Sequence, residues 1–148
     1  MEKAELLRDF AAAHEAVIAA ATRAAERGAP AHEGWGPREV VAHLAGWEAM
    51  ASVRIPAVVA GMPPLEFADE QQATVMNNAI NATIVTLAGD QPLTTLCGIL
   101  RRAYQGTIAT ITPLDEPHFQ PGAYVYERTR SVIEHCQEHI ATHLAAGA

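Results

Sequence analysis

Three histidines in two distant parts of the chain are the residues best suited to chemistry. His43 lies in the segment Trp35-Gly-Pro-Arg-Glu-Val-Val-Ala-His-Leu-Ala-Gly-Trp-Glu48, and His135 and His139 lie in Glu134-His-Cys-Gln-Glu-His139. Two histidines four residues apart on a helix project from one face and can hold one metal ion. A third imidazole from another helix would complete a three-ligand site whose fourth position stays open for water or substrate.

Helical-wheel positions put these histidines on the flanks of apolar stripes, where a bundle can open a pocket. His43 flanks the stripe of its helix, and His135 and His139 flank the stripe of the last helix. His143 lies nearer the centre of that stripe than His135, so a pair formed by His139 and His143 is an alternative. Each of these residues could instead be a hydrogen-bonded structural histidine.

Other residues near the histidines have weaker claims to a role. Trp47, one turn after His43, and His143 are candidates for contacting a substrate, although Trp47 could equally pack in the core. Cys136 could be a nucleophile or ligand, but free cysteines are more often small core residues. No general base stands out, because Glu138 falls on the solvent side of the wheel and His143 is better positioned. The remaining histidines, His14, His32 and His118, are expected to be solvated.

The elements that position these residues are all predicted to be helices. Apolar residues recur at three- and four-residue steps, and glycines and prolines separate the helical stretches. The predicted helices span residues 2–27, 37–60, 66–88, 92–112 and 123–145. Pro56 predicts a kink or break near Arg54, and the proline-rich segment 112–122 predicts an ordered loop. We therefore expect one all-α bundle forming a single domain, residues 1–148.

Composition excludes several classes of function. A chain of 148 residues with 49% hydrophobic residues can bury a core without disulfides. Its net charge of −7 and its lack of a basic cluster beyond Arg101-Arg102 argue against nucleic acid as a partner. No apolar run is long enough to span a membrane, and the amino terminus lacks a signal-peptide core. The two cysteines form no Cys-x-x-Cys motif, so a cytoplasmic location is expected.

The two histidine segments, in this order, resemble those of the DinB/YfiT-like superfamily of four-helix-bundle metalloenzymes. The first is similar to the pattern "W-x-x-[KR]-[DE]-x-[VL]-x-H-[LI]-x-x-W-[ED]", and His135-x-x-x-His139 is similar to the pattern of the final helix. The helix order and the segment Asn77-Asn78 also fit, so the resemblance covers essentially the whole chain. The chain most resembles the branch of colibactin self-protection and DfsB-type proteins, in which an aromatic residue commonly stands where Cys136 does.

The resemblance implies an up-down-down-up four-helix bundle with an additional short helix. It also implies a divalent metal, often nickel or zinc, held by His43, His135 and His139, and it favours His135 over His143. The superfamily includes transferases and isomerases that use a low-molecular-weight thiol, and proteins that detoxify reactive small molecules. The implied function is therefore that of a metal-dependent hydrolase or thiol transferase acting on a small electrophile in detoxification or self-resistance. A homodimer is also plausible on the resemblance.

Two other functions fit the same residues. A resistance protein could sequester a toxic small molecule without turnover, and the absence of an evident acid–base pair favours this alternative. A helical interaction module whose histidines are structural would bind no metal and would have no pocket at Trp47. Turnover of an electrophile and metal content distinguish the three.

Overall fold

The computed structural model describes residues 2–145, and helices account for most of them. The α-helices are α1 (Lys3–Glu26), α2 (Pro37–Val59), α3 (Glu70–Ala88), α4 (Leu93–Ile111) and α5 (Tyr124–Ala141). A 3₁₀ turn, Glu116–Phe119, lies within the predicted loop between α4 and α5. No β-strand occurs in this described part of the chain. The prediction of an all-α bundle is confirmed.

Contacts between helix ends give the direction of each helix. Arg27, just after α1, donates a hydrogen bond of 2.7 Å to the carbonyl oxygen of Leu144, just after α5, so these two helices run parallel. Lys3, at the start of α1, donates to carbonyl oxygens just after α4, so α1 and α4 are antiparallel. Arg38 near the start of α2 donates to the carbonyl oxygen of Gln91 just before α4, so those two run parallel. The order of α1, α2, α4 and α5 is up-down-down-up.

The hydrophobic core lies between these four helices. It holds α2, which carries His43, and α5, which carries His135 and His139. Leu6, Phe10 and Val17 of α1 follow one face of the helix and are at most 1% exposed. Leu100 of α4 and Val125 of α5 are fully buried against them. Burying a large apolar side chain stabilises a fold by about 1.5–3 kcal/mol. Val40 of α2 is fully buried in the same core, so apolar packing sets the positions of both α2 and α5.

α3 is the exception, because it lies outside the four-helix core. None of its residues is buried, and its main helix contact is with α2. Gly46 of α2 allows the close approach, since a Cβ at this position would lie 2.6 Å from Cδ1 of Ile84. Asp69 caps the start of α3 by accepting a hydrogen bond from the backbone N–H of Gln72 at 2.8 Å. This packing brings α3 alongside the segment of α2 that contains His43.

Three features of the predicted helices differ from the structure. α3 begins at Glu70 and not at residue 66, with Asp69 as its cap. α2 continues through Pro56 to Val59, so the predicted break near Arg54 is wrong. A proline removes one backbone hydrogen bond, and here the helix ends so soon afterwards that little remains to be disrupted. α5 ends at Ala141 and not at residue 145, so His143 lies beyond the helix. Within residues 2–145, no helix has the length and apolarity that crossing a membrane requires.

Candidate metal centre

The side chains of His43, His135 and His139 meet between α2 and α5. The Nε2 atoms of His43 and His135 are 2.9 Å apart, and those of His135 and His139 are 3.1 Å apart. One nitrogen from each ring lies within 4.8 Å of the other two. His43 and His139 are each 5% exposed, whereas the side chain of His135 is 45% exposed. The structure thus brings the three predicted ligands together, with His135 at the open side.

The other ring nitrogen of each histidine faces a partner. Nδ1 of His43 lies 2.9 Å from Oδ1 of Asn81, and that same oxygen accepts a 2.7 Å hydrogen bond from the indole N–H of Trp47. Because an indole nitrogen can only donate, this contact identifies the oxygen of the Asn81 amide. Nδ1 of His43 must therefore carry the hydrogen, and its Nε2 presents a lone pair to the other histidines.

The second pair of outer contacts lies on α5 and just beyond it. Nδ1 of His139 is 3.1 Å from Nδ1 of His143, and Nδ1 of His135 is 3.7 Å from a carboxylate oxygen of Glu138. Ligand histidines almost always have such outer partners, which fix the tautomer and the orientation of the ring. With Asn81 at His43, each ring of the cluster has an outer contact while its Nε2 faces inward.

The donor set fits a metal ion. Neutral rings with Nε2 lone pairs 2.9–3.1 Å apart repel one another unless a cation or a shared proton lies between them. Zinc–nitrogen bonds of about 2.0–2.1 Å place two tetrahedral ligand nitrogens about 3.3 Å apart, so a displacement of a few tenths of an ångström would accommodate the ion. Imidazole nitrogen is a good ligand for zinc, nickel, copper and iron. The three-histidine group could therefore hold a metal ion.

Burial keeps the rings in the form that binds metal. Burial, together with the neighbouring His135, lowers the pKa of His43 to about 4. Burial and the adjacent histidines lower the pKa of His139 to about 3, and burial also lowers the pKa of His135. At neutral pH all three rings are therefore uncharged, and metal binding releases few protons.

A cavity of about 440 Å³ opens beside the cluster. This is within the usual range for small-molecule sites. His43, Trp47, Asn81 and His135 form one part of its wall. Trp47 is half-buried, so it both packs against the fold and faces the cavity, as a substrate-contacting residue would. The cavity gives the open side of the cluster a space for a ligand.

His143 occupies a different place from the one predicted for it. It does not line this cavity; it lies behind His139, and its ring is 5.8 Å from that of Trp35. A helical-wheel position for His143 requires α5 to continue through residue 143, whereas the helix ends at Ala141. The position suits orientation of His139 and does not suit contact with a ligand in the cavity.

Cys136 is a core residue in this structure. It is fully buried, and burial raises the pKa of its thiol to about 12, with a smaller contribution from the charge of Glu48. The thiolate is the form that attacks electrophiles and binds metals, and it would be scarce at neutral pH. Of the two interpretations of Cys136, the structure supports the small buried core residue.

Sequence reasoning missed a buried polar group behind the cavity. Glu48 lines the cavity wall yet is only 2% exposed, and one of its carboxylate oxygens accepts a 3.0 Å hydrogen bond from the hydroxyl of Thr107. The other oxygen lies 3.6 Å from Nε2 of His14, a nitrogen with no hydrogen-bond partner among residues 2–145. Nδ1 of His14 is 2.7 Å from the carbonyl oxygen of Phe10, so it carries a hydrogen, and Nε2 faces Glu48.

His14 was expected to be solvated, and that prediction is wrong, since the residue is completely buried. The available signal was its place beside Phe10 and Val17 on the apolar face of α1. Asn81 gave no comparable signal, because α3 lacks a strongly apolar face.

Comparison with known proteins identifies no relative: no family model, no curated protein and no solved structure matches this chain.

Proposed function

We propose that this protein is a metal-dependent enzyme, of the hydrolase or thiol-transferase type, that acts on a small reactive electrophile. The observation that carries the proposal is the convergence of three Nε2 atoms beside a cavity of small-molecule size, which His43 and His135 help to line. Zinc and nickel are the proposed ions, and a low-molecular-weight thiol is a proposed second reactant. The proposed role is detoxification or self-resistance in the cytoplasm, as the resemblance to the DinB/YfiT-like superfamily suggests.

The proposed site divides its tasks among the chain's own residues. His43, His135 and His139 would hold the ion, which when bound lowers the pKa of a coordinated water or thiol. Asn81 keeps the tautomer of His43 that leaves Nε2 free. The exposed side of His135 is where a substrate would approach. Trp47 offers an aromatic surface at the cavity wall.

Glu48 is the residue we assign to proton transfer at this cavity. On the side away from the cavity, its carboxylate accepts a hydrogen bond from the hydroxyl of Thr107 and lies 3.6 Å from the ring of His14. A proton removed from a nucleophile in the cavity would go to the Glu48–His14 pair. Substitution by glutamine keeps the shape of the side chain and removes its basicity, so Glu48→Gln should lower kcat and leave metal content unchanged.

A second candidate function is stoichiometric sequestration of a toxic small molecule. The observation that favours it is the exposure of two of the cavity's carboxylates, since the side chains of Glu134 and Glu138 are 61% and 75% exposed and are poorly suited to acid–base catalysis. Multiple turnover of an electrophile would exclude this function. A single equivalent of bound, chemically unchanged ligand would favour it.

Metal analysis of the purified protein tests the leading proposal. Wild type should contain about one equivalent of metal, and the triple variant His43→Ala/His135→Ala/His139→Ala should contain almost none. His118→Ala, on the 3₁₀ turn away from the cluster, is the matched control and should match wild type. Equal metal content in wild type and the triple variant would contradict the proposal. The expected homodimer is tested separately by light scattering coupled to size-exclusion chromatography.

A further inference from the structure

We propose that the cavity beside the three histidines binds its ligand through an anionic group, which Arg54 and Arg128 hold at the end of the cavity away from the histidines. The inference deepens the proposed function, on which it rests for the position of the reacting end. It names the ligand class: a small, extended molecule that carries a carboxylate or phosphate several bonds from its reacting atom.

The helix register places both arginines at the same end of the cavity. Arg54 follows His43 by eleven residues on α2, and Arg128 precedes His139 by eleven residues on α5. Eleven residues make about three helical turns, or roughly 16 Å, and return to nearly the same face of a helix. α2 and α5 run in opposite directions, so the two displacements point the same way. Both arginines line the cavity together with His43 and His135, and Arg128 precedes His135 by seven residues, about two helical turns.

The charges around the cavity leave these two guanidinium groups uncompensated. Each of the three carboxylates on the wall, Glu48, Glu134 and Glu138, has a basic side chain within 3.7 Å. Their partners are His14, Arg130 and His135. Arg54 and Arg128, in contrast, form no ion pair or side-chain hydrogen bond within residues 2–145. The chain has a net charge of −7, so acidic residues outnumber basic ones. Two arginines without an acidic partner in one cavity are therefore unusual for this chain.

The chemistry of the guanidinium group defines what it would bind. Its planar set of N–H donors matches the oxygens of a carboxylate or phosphate in a paired, charge-assisted arrangement. Both arginines are half-buried, so water screens their charge less than at an open surface. Asn77 and Ser131, which also line the cavity, add neutral hydrogen-bonding groups.

The test uses a series of ω-mercaptocarboxylates with about two to five methylene groups, each compared with its uncharged ω-mercaptoamide. Calorimetry measures their affinity for zinc-loaded protein, in wild type, in Arg54→Gln/Arg128→Gln and in the control Arg102→Gln, which alters an exposed arginine on α4. At the best chain length, wild type and the control should bind the carboxylate at least about tenfold more tightly than the amide. The double variant should lose this preference while keeping its zinc.

Equal affinity for carboxylate and amide at every chain length would overturn the inference, as would an unchanged preference in the double variant. If the double variant does not fold, the two single variants take its place, and each should reduce the preference. Inorganic phosphate as competitor shows whether phosphate uses the same arginines. If the chain binds neither zinc nor nickel, the proposed function fails. The anion site is then tested by adding phosphate to the metal-free protein. A shift of the side-chain NMR signals of Arg54 and Arg128 supports the site, and unchanged signals contradict it.

Discussion

Acidification from pH 7 to pH 4.5 should destabilise the metal-free protein steeply. Folding lowers the pKa of His43 to about 4 and that of His139 to about 3, mainly through burial. In the unfolded chain both rings titrate near pH 6.5. Between pH 6.5 and about pH 4 the unfolded chain therefore binds more protons than the folded chain. The stability that the two neutral rings allow is present above pH 6.5 and is lost as the pH falls.

The size of the effect follows from the number of protons. Each proton that only the unfolded chain binds changes the free energy of unfolding by about 1.4 kcal/mol per pH unit. Two protons over two pH units give about 5 kcal/mol. The loss approaches about 3 kcal/mol if the facing Nε2 atoms of the cluster share one proton in the folded state. Domains of this kind are stable by about 5–15 kcal/mol in total, so the metal-free protein should lose a large part of its stability by pH 4.5.

Urea denaturation followed by circular dichroism, in the presence of a chelator, measures this loss between pH 7 and pH 4.5. The variant His43→Gln/His139→Gln should show a much smaller change across the same range. His118→Gln, which alters a histidine outside the cluster, should behave as wild type does. The reasoning is refuted if wild-type stability is flat over this range. It is also refuted if the double variant retains the wild-type dependence on pH.

Three further changes have definite expected outcomes. Zinc at about 100 times its Kd should stabilise wild type by about 2.7 kcal/mol, seen as a rise of several degrees in Tm that His135→Ala abolishes. Gly46→Ala should destabilise the protein by about 1–3 kcal/mol in urea denaturation, because the new Cβ would meet Ile84. The same variant should bind zinc more weakly in calorimetry, and an unchanged Kd would show that zinc binding does not depend on the packing of α3. Thr107→Val should cost about 1–3 kcal/mol in thermal denaturation by removing the donor to Glu48, whereas Thr110→Val, which removes only a bond to its own helix, should cost less.

Helical periodicity and helix-ending residues made most of the fold predictable. Gly36 and Pro37 mark the start of α2 in the sequence, and the helix begins at Pro37 as expected. Periodicity fails where a helix ends without a glycine or proline. Nothing of that kind ends α5 at Ala141, and extending the helix by four residues moved His143 onto the wrong face.

The candidate site was predictable only where spacing along one helix or a motif carried the information. The pair His135 and His139 has such a spacing, and the segment around His43 resembles a family motif. Asn81 and the contact between His14 and Glu48 have no spacing signal, because each depends on which helices become neighbours. Long-range packing decides those contacts, and a single sequence does not encode it in any local pattern.

The candidate metal centre includes a contact from α3, which lies outside the four-helix core. α3 buries none of its residues, and helices with few buried contacts open locally at a lower free energy than core helices. Yet α3 supplies Asn81, whose oxygen holds both His43 and Trp47. Loss of such an outer partner typically weakens metal binding 10–100-fold. The core thus positions the three histidines, whereas the partner that orients His43 comes from a helix with no buried residue. The close contact at Gly46, which lets α3 pack against α2, therefore also bears on the position of Asn81 beside His43.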